Sequence, residues 1–189
     1  MKQRIARRAI AAWLLSHGLA GAGPTWAEGA RPVAAAPLAP SSGKPLPKPG
    51  GSVILTVNGN IAWRNTAEAA VFDAAMIRDL PAQTVHTRTP WYKEAVSFKG
   101  PLLKDLLEAV GARGRNLRII ALNDYAVEIP AEDAQRFQPI LAYEINGKRL
   151  SVRDRGPLFL VYPFDSQPEL KNDLYYGRSI WQISTITVK

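Results

Sequence analysis

The segment His86–Lys93, HTRTPWYK, concentrates side chains that could do chemistry. It holds a histidine, two threonines, an arginine and a Thr-Pro pair followed by tryptophan. A histidine beside a hydroxyl suggests a base and a nucleophile. Adjacent residues of a strand face opposite ways, however, so His86 and Thr87 would not meet. No paired carboxylates stand out elsewhere. We therefore expect a binding loop or a structural turn here, and no nucleophile–base pair.

Few metal-binding side chains are available. The chain has no cysteine and two histidines, of which one, His17, lies in the N-terminal segment discussed below. The lack of cysteine excludes disulfides, thiolate catalysis and cysteine-ligated metal sites. One remaining histidine makes a zinc or iron site unexpected, so we predict no metal.

The hydrophobic pattern predicts the elements that must position these residues. Asp73 is a candidate helix cap, Pro101 stands near the start of a second helix, and Asn58-Gly59 and Asn146-Gly147 are hairpin signals. We predict strands over 53–61, 83–89, 95–100, 117–123, 125–130, 140–147, 148–152, 158–163 and 179–188, helices over 71–81 and 101–111, and a helical turn over 131–137. This order predicts an α+β fold with a β-rich mixed sheet core and two or three short helices.

The N-terminal part predicts export. Four basic residues precede the short apolar run 9–23, and Thr25 and Ala27 suit a cleavage site. We predict a signal peptide over 1–27, a Pro/Ala/Gly-rich linker over 28–51, a domain over 52–189 and a periplasmic location. An uncleaved anchor, a helix of the folded domain and, through Arg7-Arg8, twin-arginine export are the alternatives.

The charge is concentrated outside the predicted domain. The whole chain carries a net +8, whereas 52–189 has 17 basic and 15 acidic residues, a net charge of +2. A nucleic-acid-binding domain needs a basic stripe, which this balance does not supply. We expect no nucleic acid as a partner.

Four segments resemble a known family. They are TPWYKEAVSFKGPLLKDLL (89–107), ALNDYAVEIP (121–130), LSVRDRGPLFLVYP (150–163) and YYGRSIWQISTITV (175–188). In this order and spacing, the chain resembles the oxidoreductase molybdopterin-binding domain, the sulfite-oxidase-type fold, over essentially all of 52–189. It is most similar to short exported members. Some of these look like periplasmic pterin-binding proteins that signal to membrane cyclic-di-GMP enzymes.

One position departs from the family's enzyme pattern. Where the resemblance implies a molybdenum-ligating cysteine, this sequence has Thr87, or a residue next to it. A threonine hydroxyl stays protonated at neutral pH and does not replace a soft thiolate. We therefore expect a non-catalytic pterin-binding protein without molybdenum that acts with a membrane partner. The alternative is a molybdopterin-dependent oxidoreductase.

A pterin ring is flat and has a donor–acceptor edge, so its site needs an aromatic or guanidinium plane and polar groups. Trp91 would stack, and Asn123 and Asp124 would reach the edge. The predicted site comprises His86, Thr87, Arg88, Trp91, Asn123, Asp124, Tyr125, Arg153, Asp154 and Arg155. Each has a structural alternative: a core or lid tryptophan, a hydrogen-bonded histidine, a turn at 123–124 and a solvated ion-pair cluster at 153–155. We assign Tyr175, Tyr176 and Trp181 to the core or an interface.

Overall fold

The two ends of the domain meet in one five-stranded sheet. The computed structural model describes residues 45–189. The predicted signal peptide and most of the predicted linker lie outside them. The sheet consists, in chain order, of β1 (Val53–Gly59), β2 (Ala70–Asp73), β5 (Asn116–Ala121), β6 (Ala126–Pro130) and β11 (Ile183–Val188). Its spatial order is β2-β1-β11-β5-β6, and β1 runs parallel to β11.

Two smaller sheets lie in the middle of the chain. One has the order β3-β4-β8-β9 and the other pairs β10 with β7. Their strands are β3 (Ala82–Thr87), β4 (Val96–Pro101), β7 (Ile140–Ala142), β8 (Glu144–Ile145), β9 (Lys148–Arg149) and β10 (Phe159–Val161). Four short helices, α1 (Ala74–Asp79), α2 (Leu103–Ala109), α3 (Glu132–Arg136) and α4 (Asp173–Arg178), complete the fold, with 3₁₀ turns at Val152–Asp154 and Pro168–Leu170.

The core lies between these layers. Helix α2 buries Leu103, Leu106 and Leu107 completely, as the spacing of its leucines predicts. The three residues of β10 are also fully buried, as are those of β7. The predicted fold class, a mixed α+β structure dominated by sheets, is confirmed.

Two turn predictions have different outcomes. At Asn146-Gly147 both residues have positive φ, 49° and 78°, and the two-residue turn joins β8 to β9 as predicted. The hairpin at Asn58-Gly59 is wrong, because β1 pairs with a strand that begins only at Ala70. Gly59 is instead required by close packing, since a Cβ there would lie 2.2 Å from the Val188 carbonyl oxygen.

The helices of the structure differ from the predicted ones at several boundaries. Asp73 caps α1 as predicted, accepting from the backbone N–H groups of Ala75 and Met76. The residues just before it form β2, so the predicted helix began three residues too early. Pro101 ends β4 and does not start α2. Helix α4 was not predicted, although Asn172 caps it through its side chain.

The end of the predicted linker contacts the domain. The N–H groups of Gly50 and Gly51 each donate to the Asp73 carboxylate at 2.8 Å. Hydrogen bonds from Met76 and Gly51 are the main reason that the pKa of Asp73 lies below its usual value. None of the helices within 45–189 is long and apolar enough to cross a membrane.

A buried ion pair holds α4 against α3. Asp133, which is 5% exposed, accepts from the Tyr162 hydroxyl and from Arg178 Nη1, both at 2.7 Å. Burial is the main reason that the pKa of Tyr162 is raised, and the neighbouring Asp133 adds to it. Because Tyr162 keeps its proton, it remains a donor to Asp133.

We predict that Asp133→Ala destabilises the protein by about 3 kcal/mol, since it leaves a guanidinium and a phenol buried without their acceptor. Urea unfolding measures the change. Glu132→Ala, an exposed neighbour on the same helix, is the control and should change the unfolding free energy by less than about 0.5 kcal/mol. Equal effects of the two substitutions would contradict the assigned role of the ion pair.

Candidate functional site

An aromatic pocket of about 400 Å³ lies beside the turn between β5 and β6. Its walls come from three parts of the chain: the loop after β3, this turn, and the segment running from α4 toward β11. The lining residues are Trp91, Ala121, Asn123, Tyr125, Tyr176, Gly177, Ser179, Ile180 and Trp181. Four large aromatic rings and a few polar groups give it the composition of a site for a flat heterocycle.

Trp91 is both a pocket wall and a packing residue. Its ring lies edge-on to those of Phe159 at 5.5 Å, Trp181 at 5.8 Å and Tyr176 at 6.3 Å. The ring is therefore fixed by neighbours from β10, from α4 and from the segment before β11. Its packing against the core agrees with the structural alternative for Trp91, and its place on the pocket wall leaves ligand stacking as a prediction.

A second, basic groove shares Trp181 with the aromatic pocket and has a volume of about 730 Å³. Its lining residues are Tyr92, Ile145, Lys148, Arg149, Leu150, Arg153, Asp154, Arg155, Trp181 and Gln182. Four are cationic and one is acidic. The acidic Asp154 accepts a hydrogen bond from the Ser151 hydroxyl at 2.6 Å. The groove therefore favours an anionic ligand group.

Arg155 is held in place within this groove. Its guanidinium lies 4.9 Å from the centre of the Tyr92 ring and 5.4 Å from that of Trp181. These are cation–π distances. Its backbone has a positive φ of 70° where the 3₁₀ turn ends. A planar cation between two rings presents its remaining N–H groups in fixed directions, which suits recognition of an oxyanion.

Thr87 is buried beneath the loop that follows β10. Its side chain is inaccessible to solvent, and its hydroxyl accepts from the Asp165 backbone N–H at 3.0 Å. In return, the Asp165 carboxylate accepts from the Arg88 N–H at 2.8 Å. The hydrogen bond from Lys171, followed by that from Arg88, holds the pKa of Asp165 below its usual value. These reciprocal bonds fix the loop 163–172 against the end of β3.

The structure divides the ten predicted site residues into groups. Trp91, Asn123 and Tyr125 line the aromatic pocket, and Arg153, Asp154 and Arg155 line the basic groove. The other four, His86, Thr87, Arg88 and Asp124, line neither. His86 is exposed on β3 and pairs with the Ser97 hydroxyl at 3.1 Å. The Arg88 side chain is 78% exposed beside Asp165, and Asp124 occupies a turn with φ of 64°.

Sequence reasoning missed several residues that line the two cavities. Tyr176 and Trp181 were assigned to the core or an interface, and Tyr92 was not considered. Their partial burial against the core agrees with the first assignment, but they are also pocket walls. The unpredicted helix α4 is the cause, because without it nothing indicated which way Tyr176 points. A usable signal was the density of aromatic residues in 175–181.

The middle of the chain is similar to a known domain family. A family model described as "oxidoreductase molybdopterin binding domain" matches residues 74–165. Residues 74–165 therefore form an oxidoreductase molybdopterin binding domain. The match includes Thr87, Trp91 and the basic loop at 153–155. It ends before α4, so Tyr176 and Trp181 lie beyond it.

A solved structure has a similar fold. It is the sulfane dehydrogenase SoxCD from Paracoccus pantotrophus, with a TM-score of 0.50 and 15% sequence identity. The likeness covers 71% of this chain and 37% of that chain, so this protein spans well under half the length of SoxCD. At this identity the likeness shows the fold alone. No curated protein sequence is significantly similar to this chain.

The residues of the molybdopterin-binding domain fit the organic, pterin part of a molybdenum cofactor better than they fit its metal. The aromatic pocket and basic groove offer planes, amide and hydroxyl groups and cations. In addition, the buried Thr89 hydroxyl has no partner within 45–189. For the metal, the chain provides no thiolate, and the Thr87 hydroxyl is occupied by Asp165. Within 45–189 no three histidine or acidic side chains form a metal-binding group.

We predict that Thr87→Val lowers the free energy of unfolding by about 1–3 kcal/mol, because the Asp165 N–H loses its acceptor inside the protein. Thr87→Ser keeps a hydroxyl and is the matched control, with a smaller loss. Chemical denaturation compares the two variants. If valine is tolerated as well as serine, the hydroxyl does not hold the loop.

Proposed function

We propose that this protein is a periplasmic, non-catalytic pterin-binding protein that acts as a sensory or accessory subunit of a membrane signalling enzyme, such as a cyclic-di-GMP enzyme. The observation that carries the proposal is an aromatic pocket in a molybdopterin-binding domain whose expected metal-ligand position is a buried threonine. Ligand recognition is retained, and the group that would make a metal reactive is missing.

The pocket matches a pterin in shape and polarity. Trp91, Tyr125, Tyr176 and Trp181 supply ring faces and edges, which suit a flat heterocycle of this size. The Asn123 amide and the Ser179 hydroxyl offer a donor and an acceptor for the ring edge. The Asn123 side chain now accepts from the Tyr125 N–H at a long 3.3 Å, a bond that a ligand would readily replace.

The basic groove suits a polar or anionic substituent on the pterin. It shares Trp181 with the aromatic pocket, so a ring in one and a tail in the other would both contact the same indole. Arg155, stacked on Trp181, would be the first cation that the tail meets. A pterin with an acidic or hydroxylated side chain is therefore the favoured ligand class.

The absence of a thiolate supports a non-catalytic role. The chain has no cysteine, so no rearrangement of loops supplies one. Thr87 is fully buried and bound to the Asp165 backbone, and its position serves to hold a loop. An oxidoreductase of this family needs a ligand atom that these residues do not provide.

The surface beside the pocket supports a protein partner. The large hydrophobic side chains that are about half exposed or more are Val53, Leu122, Tyr125, Val152 and Leu174. Leu122 and Tyr125 belong to the turn that lines the pocket, and Leu174 lies on α4, which supplies another wall. Apolar residues clustered around a pocket mouth suit a partner that detects whether the pocket is filled. The signal-like N-terminus supports the proposal that such a partner lies at the membrane.

The alternative is a molybdopterin-dependent oxidoreductase of the sulfite oxidase type. The family's description and the fold shared with a sulfane dehydrogenase favour it. It requires that the metal be held without a cysteine from this chain. Metal content distinguishes the two proposals directly.

Tyr125 offers the clearest test of ligand binding, because it lines the pocket while 56% of it is exposed. We expect Tyr125→Ala to weaken binding of a reduced pterin by about 0.5–1.5 kcal/mol, roughly two- to twelvefold, since one ring contact is lost. Titration monitored by tryptophan fluorescence measures this. Leu122→Ala, equally exposed but outside the pocket lining, should bind like the parent. Equal affinity of both variants would place the pterin elsewhere.

We further expect the purified protein to contain no stoichiometric molybdenum, even from a host that makes the cofactor. Thr87→Cys should not restore it, because the thiol would still lie beneath the Asp165 loop and the rest of a metal pocket would have to be positioned as well. Elemental analysis and sulfite- or sulfoxide-dependent turnover are the measurements. Molybdenum in the parent, or metal with turnover in Thr87→Cys, would favour the oxidoreductase.

A further inference from the structure

Strand edges are surfaces on which another strand can add, and proteins normally block them. The outer edge of β2 is blocked by Asn65. Its side-chain oxygen accepts from the Val71 N–H and its amide donates to the Val71 carbonyl, both at 2.8 Å. This side chain takes the place of a neighbouring strand.

Two other edge strands, β6 and β9, have features that hinder pairing with a further strand. At the far side of the five-stranded sheet, β6 has Glu128 exposed and ends at Pro130. In the four-stranded sheet, β9 consists of Lys148 and Arg149 alone, both exposed. Charge, proline and short length are the devices by which edge strands avoid pairing. Both strands of the β7–β10 pair are buried.

Strand β3 has none of these protections over residues 82–86, and only its last residue, Thr87, lies beneath the loop 163–172. It is the other edge of the four-stranded sheet, six residues long, with the sequence AQTVHT. It contains no lysine, arginine, carboxylate or proline, and four of its first five residues are exposed. All six residues pair with β4 on one side. On the other side, no backbone group of β3 has a hydrogen-bond partner among residues 45–189.

We propose that β3 is a dimerisation edge, on which β3 of a second copy of this chain pairs antiparallel about a twofold axis. The two four-stranded sheets would then form one continuous sheet of eight strands. The surface is isologous, since the same strand is presented by both copies. This proposal is independent of the ligand proposed above.

The strand and its flanks favour a second copy as the occupant. An uncharged strand faces its own copy without like-charge repulsion, and threonine pairs are favourable neighbours across strands. Arg88, just after β3, has a side chain that is 78% exposed, and the last turn of α1 before β3 exposes both Arg78 and Asp79. Antiparallel pairing brings the end of one strand to the start of the other, so the Asp79 carboxylate of one copy is available to the Arg88 guanidinium of the other.

The N-terminal segment of this chain is the competing occupant. Its residues 28–44 include Pro32, Pro37 and Pro40. A proline has no backbone N–H to donate, so this run could offer only an interrupted ladder. A second β3 offers every N–H that an edge requires.

The lack of cysteine makes a sharp test available. In the full-length chain, a single cysteine introduced into β3 can form a disulfide only between two copies. Opposite residues of antiparallel strands have Cα atoms about 5 Å apart, within disulfide range. Each residue away from the twofold axis adds about 7 Å between the two cysteines. We expect cross-linking to peak at one or two neighbouring positions among Gln83→Cys, Thr84→Cys, Val85→Cys and His86→Cys, and Ser52→Cys not to cross-link.

Light scattering on the full-length chain should show a dimer whose fraction falls on dilution. A lysine at the residue where cross-linking peaks should raise its dissociation constant several-fold, because it sets like charges across the new pair. Ser52→Lys adds the same charge at an exposed position outside β3 and should leave the dimer unchanged.

Three outcomes would overturn the proposal. The first is a monomer at all concentrations without cross-links. The second is a dimer that no β3 cysteine cross-links, which would place the interface elsewhere. The third is a monomer in which the β3 amides are protected from hydrogen exchange, which would assign the edge to the chain's own N-terminal segment.

Discussion

The aromatic cluster around Trp91 is the contact on which the candidate site depends. Its ring meets Phe159 of β10, Tyr176 of α4 and Trp181 of the segment before β11, all within 6.3 Å. Edge-to-face aromatic pairs stabilise a fold beyond the area that they bury. Segments separated by up to 90 residues in the chain thus form one wall. The same contacts that stabilise the middle of the domain shape the pocket.

Trp181 extends this arrangement to the basic groove. Trp181 lines the aromatic pocket, and the Arg155 guanidinium lies 5.4 Å from the centre of its ring. A hydrophobic surface and a cation therefore both contact this one indole. Such proximity suits a ligand with a flat ring and a polar tail better than two unrelated ligands. The third wall, α4, depends in turn on the buried pair of Asp133 and Arg178.

Thr87 shows how a position can keep a structural role in a domain of an enzyme family. Its hydroxyl accepts from the Asp165 backbone N–H, and the Asp165 carboxylate accepts from the Arg88 backbone N–H, so these two bonds join the end of β3 to the loop after β10. This pair closes the place that the resemblance assigns to the metal ligand. The rings that line the aromatic pocket are positioned by one another and not by a metal.

The sequence by itself determined the fold class, most strands, the capped helix at Asp73 and the turn at Asn146-Gly147, because these follow from local pattern and turn chemistry. It also fixed the absence of a thiolate. Three of the ten predicted site residues were found in the aromatic pocket and three in the basic groove. Only the tertiary structure decided that Tyr176 and Trp181 join them, that Thr87 bonds to Asp165, and that Gly59 serves close packing beside β11 and not a hairpin. Those features depend on contacts between residues far apart in the chain, and no local pattern specifies which distant segment will pack against a given side chain.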